Sequence, residues 1–139
     1  MKLVLDTSIL VALRRGDSEV QRALKDRRAY VEELGASRLT EYELKLGGNY
    51  LWKKHGDARE LAWLDEIFSW LRVYEIDEEV VSNAADVQGQ ALRSGKPFPD
   101  MDLLIALSGK SGSELLTLDE DQLKMKESLK AKGVAVRSP

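Results

Sequence analysis

Asp6 and Asp119 each follow directly on a short apolar run, Leu3-Val4-Leu5 and Leu115-Leu116-Thr117-Leu118. If both runs are buried parallel strands, both acids stand beyond the carboxyl edge of the sheet, where open α/β sheets bind ligands. Asp102 falls in the first turn of an expected helix, and Glu43 about one turn into another. Four carboxylates from four segments can therefore meet in one pocket. Each also has a plainer reading. Asp6 suits a helix N-cap, Glu43 beside Glu41 a solvated face, and Asp102 with Asp100 a complement to a helix dipole. The Asp119-Glu120-Asp121 run suits a solvated cap. Only the arrangement of the four along the chain argues for a site. Other chemistry is scarce, because the chain has no cysteine and a single histidine, His55. Disulfides, thiolate zinc sites and cysteine nucleophiles are excluded, and a lone histidine makes a serine–histidine triad a poor bet.

The elements that would position these acids alternate between strand and helix. After the strand at 3–5, Asp6-Thr7-Ser8 caps a helix carrying Ile9, Leu10 and Leu13. Gly16-Asp17-Ser18 breaks it and starts a second helix that ends near Arg27-Arg28. Residues 30–39 read as a loop with a short strand near Ser37–Leu39. A helix is expected from Thr40 to Lys54, and another after the His55-Gly56-Asp57 break with Leu61, Leu64, Phe68 and Leu71 on one stripe. Arg72–Ile76 alternates as a strand does. Asp77 then caps a helix to about Arg93, ended by Gly95 and Pro97. Asp100 or Met101 opens an apolar helix up to Gly109, Glu114–Leu118 reads as a buried strand, and a charged helix near Asp121–Lys132 precedes a strand at Val134–Val136. Alternation of this kind predicts an α/β fold with a mainly parallel sheet covered on both faces.

Composition sets the frame. The 139 residues suit one domain, 1–139, against the usual ~100–200 residues per domain. Hydrophobic residues make up 43%, enough for an ordinary core. The formal charge of −3 gives no general attraction to nucleic acid. An apolar run such as Leu103–Leu107 is far short of the ~20 residues of a membrane span, and Asp6 interrupts any secretory signal. A cytoplasmic protein without membrane association is expected.

The order of the acids resembles the PIN-domain family, and specifically the VapC-type toxins. Leu5-Asp6-Thr7-Ser8-Ile9-Leu10 matches the opening strand-Asp-Thr-Ser signature. Thr40-Glu41-Tyr42-Glu43-Leu44-Lys45-Leu46-Gly47 matches the Thr-x-x-Glu-Leu-x-x-Gly helix. Gly95-Lys96-Pro97-Phe98-Pro99-Asp100-Met101-Asp102-Leu103-Leu104-Ile105-Ala106 matches the Gly-x-Pro-x-Pro-x-x-Asp-x-x-Ile-Ala segment. Thr117-Leu118-Asp119-Glu120-Asp121 fits the closing Thr-x-Asp-x-Asp element. The first and third motifs are the more specific. The closing element departs from the family pattern, which often has an aromatic directly after the last Asp, so the division of duty between Asp119 and Asp121 stays open.

The resemblance implies a three-layer α/β/α PIN-like domain and a metal-dependent endoribonuclease, the toxin of a VapBC-type toxin–antitoxin pair. It implies Mg²⁺ or Mn²⁺ held by Asp6, Asp102, Glu43 and Asp119, with Asp121 secondary, and RNA hydrolysis by metal-activated water. Hard oxygen ligands suit these ions, and without their charge four clustered carboxylates would repel one another. Thr7, Ser8 and Thr117 would donate hydrogen bonds to a ligand or a phosphate. Arg14 and Arg15 are the best-placed candidates for RNA-backbone contact. Partners implied are an RNA substrate, a small VapB-type antitoxin, and a second copy in a homodimer through the helices around Leu44–Leu71. Trp52, Trp63 and Trp70 read as core or interface residues.

Rival readings fit less well. A receiver domain needs an acidic pair after its first strand, where Asp6 stands alone. A haloacid-dehalogenase-type phosphatase needs an acid where Ser8 stands. A housekeeping PIN nuclease of RNA maturation, or a PIN-like binding module that no longer cuts, would share the same residues.

Overall fold

The computed structural model describes residues 1–139. The order of elements is β1 (Lys2–Leu5), α1 (Thr7–Arg14), α2 (Ser18–Arg27), β2 (Glu33–Ser37), α3 (Arg38–His55), α4 (Arg59–Phe68), β3 (Arg72–Tyr74), α5 (Glu78–Arg93), α6 (Asp100–Leu107), β4 (Ser113–Leu116), α7 (Glu120–Leu123), α8 (Lys126–Lys130) and β5 (Ala135–Arg137). The five strands form one sheet in the order β3-β2-β1-β4-β5, and every pairing is parallel. The expected α/β architecture is therefore present, with a sheet parallel throughout.

Strand side chains alternate between two cores. Leu3 and Leu5 of β1, Ala36 of β2 and Leu116 of β4 pack with Ile9, Leu10, Val20, Leu64 and Ile67, which come from α1, α2 and α4. Val4 and Leu115 point the other way and pack with Val80, Ala84 and Val87 of α5, Leu103 and Leu107 of α6, and Leu129 of α8. This period-2 split makes β1 apolar at Leu3, Val4 and Leu5 in succession, because both of its faces are buried. Glu114 lies buried in β4 and is neutralised by Arg27 of α2, whose Nε stands 2.9 Å from Oε1. No helix is long and apolar enough to cross a membrane.

Several boundaries differ from expectation. The strand read near Ser37–Leu39 runs instead over Glu33–Ser37, and Ser37 is already the N-cap of α3, its side chain accepting from the Leu39 N–H. Glu33 and Gly35 hide it, since neither has strand propensity. The single charged helix read over Asp121–Lys132 is two short ones, α7 and α8, separated at Lys124-Met125 with Met125 wholly buried. Strand β3 stops at Tyr74 and β4 at Leu116, each two residues before the expected strand end. Trp52 and Trp70 are exposed, while Trp63 packs against the core beneath α1.

The Gly47-Gly48 pair in the interior of α3 has two different causes. A Cβ on Gly48 would meet Leu61 Cδ2 at 2.8 Å, so this glycine lets α4 approach. A Cβ on Gly47 would meet nothing within 4 Å. Gly47→Ala is therefore expected to raise stability by about 0.5–1 kcal/mol through helix propensity alone. Gly48→Ala should gain clearly less, or lose, because Leu61 must move. Equal gains for both in urea unfolding would contradict this close packing of α3 on α4.

Candidate metal centre

The sheet order places the first two acids side by side. The chain leaves β1 toward β2 on one side, while β4 lies on the other, so the carboxyl ends of β1 and β4 form a topological switch point. Leu5 is opposite Leu116, and the Asp6 N–H donates to the Leu116 carbonyl at 3.1 Å. Asp6 and the Thr117–Asp119 turn thus emerge together.

Both acids are also helix caps. Asp6 is the N-cap of α1, and its Oδ2 accepts from the Ser8 N–H at 3.0 Å and the Ser8 hydroxyl at 2.6 Å. Its Oδ1 receives no protein donor. Asp119 caps α7 by accepting from the Asp121 N–H at 2.8 Å. The plainer reading of both residues is correct, and it leaves an oxygen on each available for other work.

Asp102 is different. The N-cap of α6 is Pro99, and no side chain caps that helix. The half-buried Asp102 carboxylate accepts no hydrogen bond; only its backbone carbonyl does, from Gln122. Burial, and then the negative charges of Asp119, Asp6, Glu43 and Asp121, push its carboxyl up to about 6. Four other acids therefore converge electrostatically on this side chain. Its role is not that of a cap.

Carboxylate oxygens of Asp102, Asp119 and Asp121 lie within 4.8 Å of one another. Asp6 and Glu43 stand outside this tightest group, so the closest trio includes the acid expected to be secondary. Glu43 reaches the site from the second turn of α3, held by the Thr7 hydroxyl at 2.7 Å from Oε1, with the Thr40 hydroxyl 3.1 Å from Thr7. Ser8 also accepts from the Leu118 N–H at 3.0 Å, which ties the exit of β4 to the start of α1.

Gln122 is the residue that sequence reading missed. It is fully buried beneath the trio. Its Nε2 donates to the Asp102 carbonyl at 3.1 Å, which fixes its amide orientation, and its Oε1 accepts from the Thr117 hydroxyl at 2.6 Å. Thr117 in turn accepts from the Asp119 N–H at 2.9 Å, and its hydroxyl oxygen lies 3.2 Å from Asp6 Oδ2. One amide therefore links the start of α6 to the turn after β4. Nothing in the sequence marks it, since a glutamine between Asp121 and Leu123 reads as solvent-facing.

Arg14 and Arg15 fare differently from each other. The Arg14 guanidinium is paired with Glu60 at 3.0 Å and lies over the Trp63 ring, 5.5 Å from its centroid. Arg15 has no such partner and lines cavities shared with Thr7, Ser8 and Glu43.

A family model described as PIN domain matches residues 3–128. The chain belongs to the PIN domain family. Solved structures share the fold over its whole length. VapBC2 from Rickettsia felis, bound to a DNA fragment from its promoter, is 18% identical, with 100% of this chain and 99% of that chain covered at a TM-score of 0.77. VapBC-1 from nontypeable Haemophilus influenzae is 17% identical, covering 99% and 98% at 0.77. VapBC-5 from Mycobacterium tuberculosis, a member of the VapBC family of toxin–antitoxin systems, is 20% identical, covering 99% and 98% at 0.72. No curated protein matches the sequence. PIN domain nucleases use divalent metals, and the donor set here fits one. It is all oxygen, it lacks nitrogen and sulfur ligands, and its charge is uncompensated by any paired cation.

A pH series tests this electrostatic account of the PIN domain site. A carboxyl held near 6 in the folded chain, against 3.8 unfolded, favours the folded state at low pH. That advantage is present below about pH 4 and is lost as pH rises through 6. In chelator, Asp102→Asn should therefore melt close to wild type at pH 4 and above it at pH 7. The gap should be about 2–5 °C, allowing for solvent screening. Millimolar Mg²⁺ or Mn²⁺ should raise the wild-type midpoint and close the gap. A gap independent of both pH and metal would show that the acids do not interact.

Proposed function

We propose that this PIN domain is a metal-dependent endoribonuclease and the toxin of a VapBC-type pair. The observation that carries the reading is Asp102: a half-buried carboxylate with no donor of its own, facing four other acids. Such an arrangement is costly unless a cation answers it. Asp6 and Asp102 are read as the principal ligands, with Glu43 and Asp119 completing the set and Asp121 beside Asp119. Mg²⁺ or Mn²⁺ bound there supplies the charge that activates water and stabilises the phosphate under attack. The chain's own residues hold that set still. Ser8 fixes Oδ2 of Asp6, Thr7 fixes Glu43, and Thr117 with Gln122 fixes the turn carrying Asp119. Arg15, free of a counter-charge, is read as an RNA-backbone contact, whereas Arg14 is already committed to Glu60.

Two surfaces support the expected protein partners. A cavity of about 500 Å³ between α1, α3 and α4 runs from Thr7 and Glu43 over Val11, Leu44, Leu51 and Trp63. It offers an apolar bed for an antitoxin tail whose arginine or lysine would answer the carboxylates in place of metal. Tyr42, Leu46 and Tyr50 form an exposed stripe along α3 at helical spacing, which favours association of two copies. The structural neighbours are VapBC complexes, which agrees with a partnered toxin. A cytoplasmic location follows from this reading.

RNA cleavage should require Mg²⁺ or Mn²⁺ and stop on addition of EDTA. Asp6→Asn and Asp102→Asn should each lower the rate by at least the roughly 10–100-fold that loss of a supporting residue costs a metal site. A nuclease-free preparation of Asp102→Asn that cuts RNA at the wild-type rate would remove the site assignment.

Expression of the chain alone should arrest growth. Co-expression with the product of an adjacent small reading frame should relieve the arrest, and the two should co-purify. Cleavage without toxicity or a stabilising partner would point to a housekeeping nuclease of RNA maturation.

A further inference from the structure

A groove lined by Asp121 carries two lysines that form no ion pair. Some lysines are paired across the surface, Lys110 with Asp77 and Lys132 with Asp86 among them. Lys96 and Lys124 form no ion pair, although Asp121 lines the same cavity of about 500 Å³. Ser94, Ser128 and Gln90 add neutral hydrogen-bonding groups to its wall. Asp121 belongs both to this wall and to the trio with Asp102 and Asp119, so the groove and the acid cluster are continuous.

The wall carrying Lys96 is built rather than loose. Gly95, at φ 74°, turns the chain out of α5, and Pro97 and Pro99 restrict the backbone between that turn and α6. Gln88 of α5 then clamps the segment at both backbone groups of Phe98. Its Nε2 donates to the Phe98 carbonyl at 2.6 Å, and its Oε1 accepts from the Phe98 N–H at 2.9 Å. The same amide nitrogen lies 2.9 Å from Asp100 Oδ1, two residues before Asp102. The backbone that carries Lys96 is thus held at a set position relative to α6.

A nucleic-acid strand that presents one phosphate to the acid cluster must lead its neighbouring phosphates away past Asp121. There, uncompensated carboxylates would repel them, and two free ammonium groups with neutral donors are what such phosphates need. We propose that this groove holds the phosphodiester backbone of a single RNA strand on one side of the bond that is cut, with Lys96 and Lys124 taking the neighbouring phosphates. The inference rests on the nuclease reading of the acid cluster and adds the path of the strand to it.

The test uses the full chain carrying Asp102→Asn, which holds RNA intact, and a fluorescent single-stranded RNA oligonucleotide in millimolar Mg²⁺. Each phosphate contact contributes about 0.7 to the slope of log affinity against log salt. Adding Lys96→Gln and Lys124→Gln should lower that slope by about 1.4 and weaken binding roughly 10–25-fold at 0.1 M salt. The exposed cations Arg22 and Lys25 of α2 line none of these cavities, and Arg22→Gln with Lys25→Gln should change affinity less than about twofold. Unchanged affinity and slope in the Lys96/Lys124 variant would overturn the proposal. So would an equal loss in the α2 control, or no measurable RNA binding by the parent. The two readings separate cleanly. A wild-type chain that cuts RNA with lysine variants that bind normally removes the groove alone, whereas the expected binding losses in a chain that never cuts remove the nuclease and leave the groove.

Discussion

Parallel pairing of β1 with β4, with Leu5 opposite Leu116, governs where the acids go. Both strands are buried on both faces, so neither can slide without exposing Leu3, Val4, Leu5, Leu115 or Leu116 to water. The register is therefore held by core packing, and the residues just past each strand inherit it. Asp6 and the Thr117–Asp119 turn have no freedom to separate. A fold that spends its most apolar residues at this point forces like charges together at the strand ends. The repulsion is an outcome of the sheet, and it is the property that makes the place receptive to a cation.

Capping and the proposed ligand role are compatible because a carboxylate has two oxygens. Asp6 uses Oδ2 for the Ser8 N–H and hydroxyl, which satisfies α1 and holds the side chain in one orientation. Asp119 does the same for α7. A cap is normally counted as stability, worth about 0.5–2 kcal/mol, and here that interaction also removes the side-chain motion that metal binding would otherwise have to arrest. Asp102 receives no such help. Its position is set through its backbone by Gln122, and its carboxylate carries the strain of the cluster undiluted.

The strand–helix alternation and the two apolar strands are legible because buried parallel strands leave continuous apolar runs, as in Leu3-Val4-Leu5. Asp6 and Asp119 can be placed from topology alone, since the strand ends define them. Strand β2 escapes a sequence reading because Glu33, Leu34 and Gly35 carry no strand pattern; its existence depends on tertiary pairing with β1 and β3. The break between α7 and α8 is hidden for a similar reason, since Met125 is buried by the core rather than by any local signal. Gln122 and Gln88 are invisible because a glutamine's work depends on what it meets. One amide reaches across to another segment's carbonyl, and the other lies along a backbone like a strand partner. Arg14 shows a partner that the sequence does not reveal. Its guanidinium pairs with Glu60, which is distant in sequence.

Charge pairing gives a final constraint on how the surface is organised. A chain with a formal charge of −3 has no overall attraction for an anionic polymer, so attraction must be local. Ion pairs remove Arg14, Arg27, Arg38 and Lys110 from that role, each held by a carboxylate on another segment or turn. Arg15 flanks the acid cluster on the α1 side, and Lys96 and Lys124 flank it beside Asp121, with no carboxylate claiming any of the three. These three place local positive charge beside the acids, whatever the unpaired cations of other faces do. The acids themselves repel a phosphate unless a cation sits among them, while the flanks attract its neighbours regardless. In the proposed nuclease, a strand would be held beside the cluster before the centre became favourable, and a cation, rather than the protein's net charge, would let a phosphate approach Asp102.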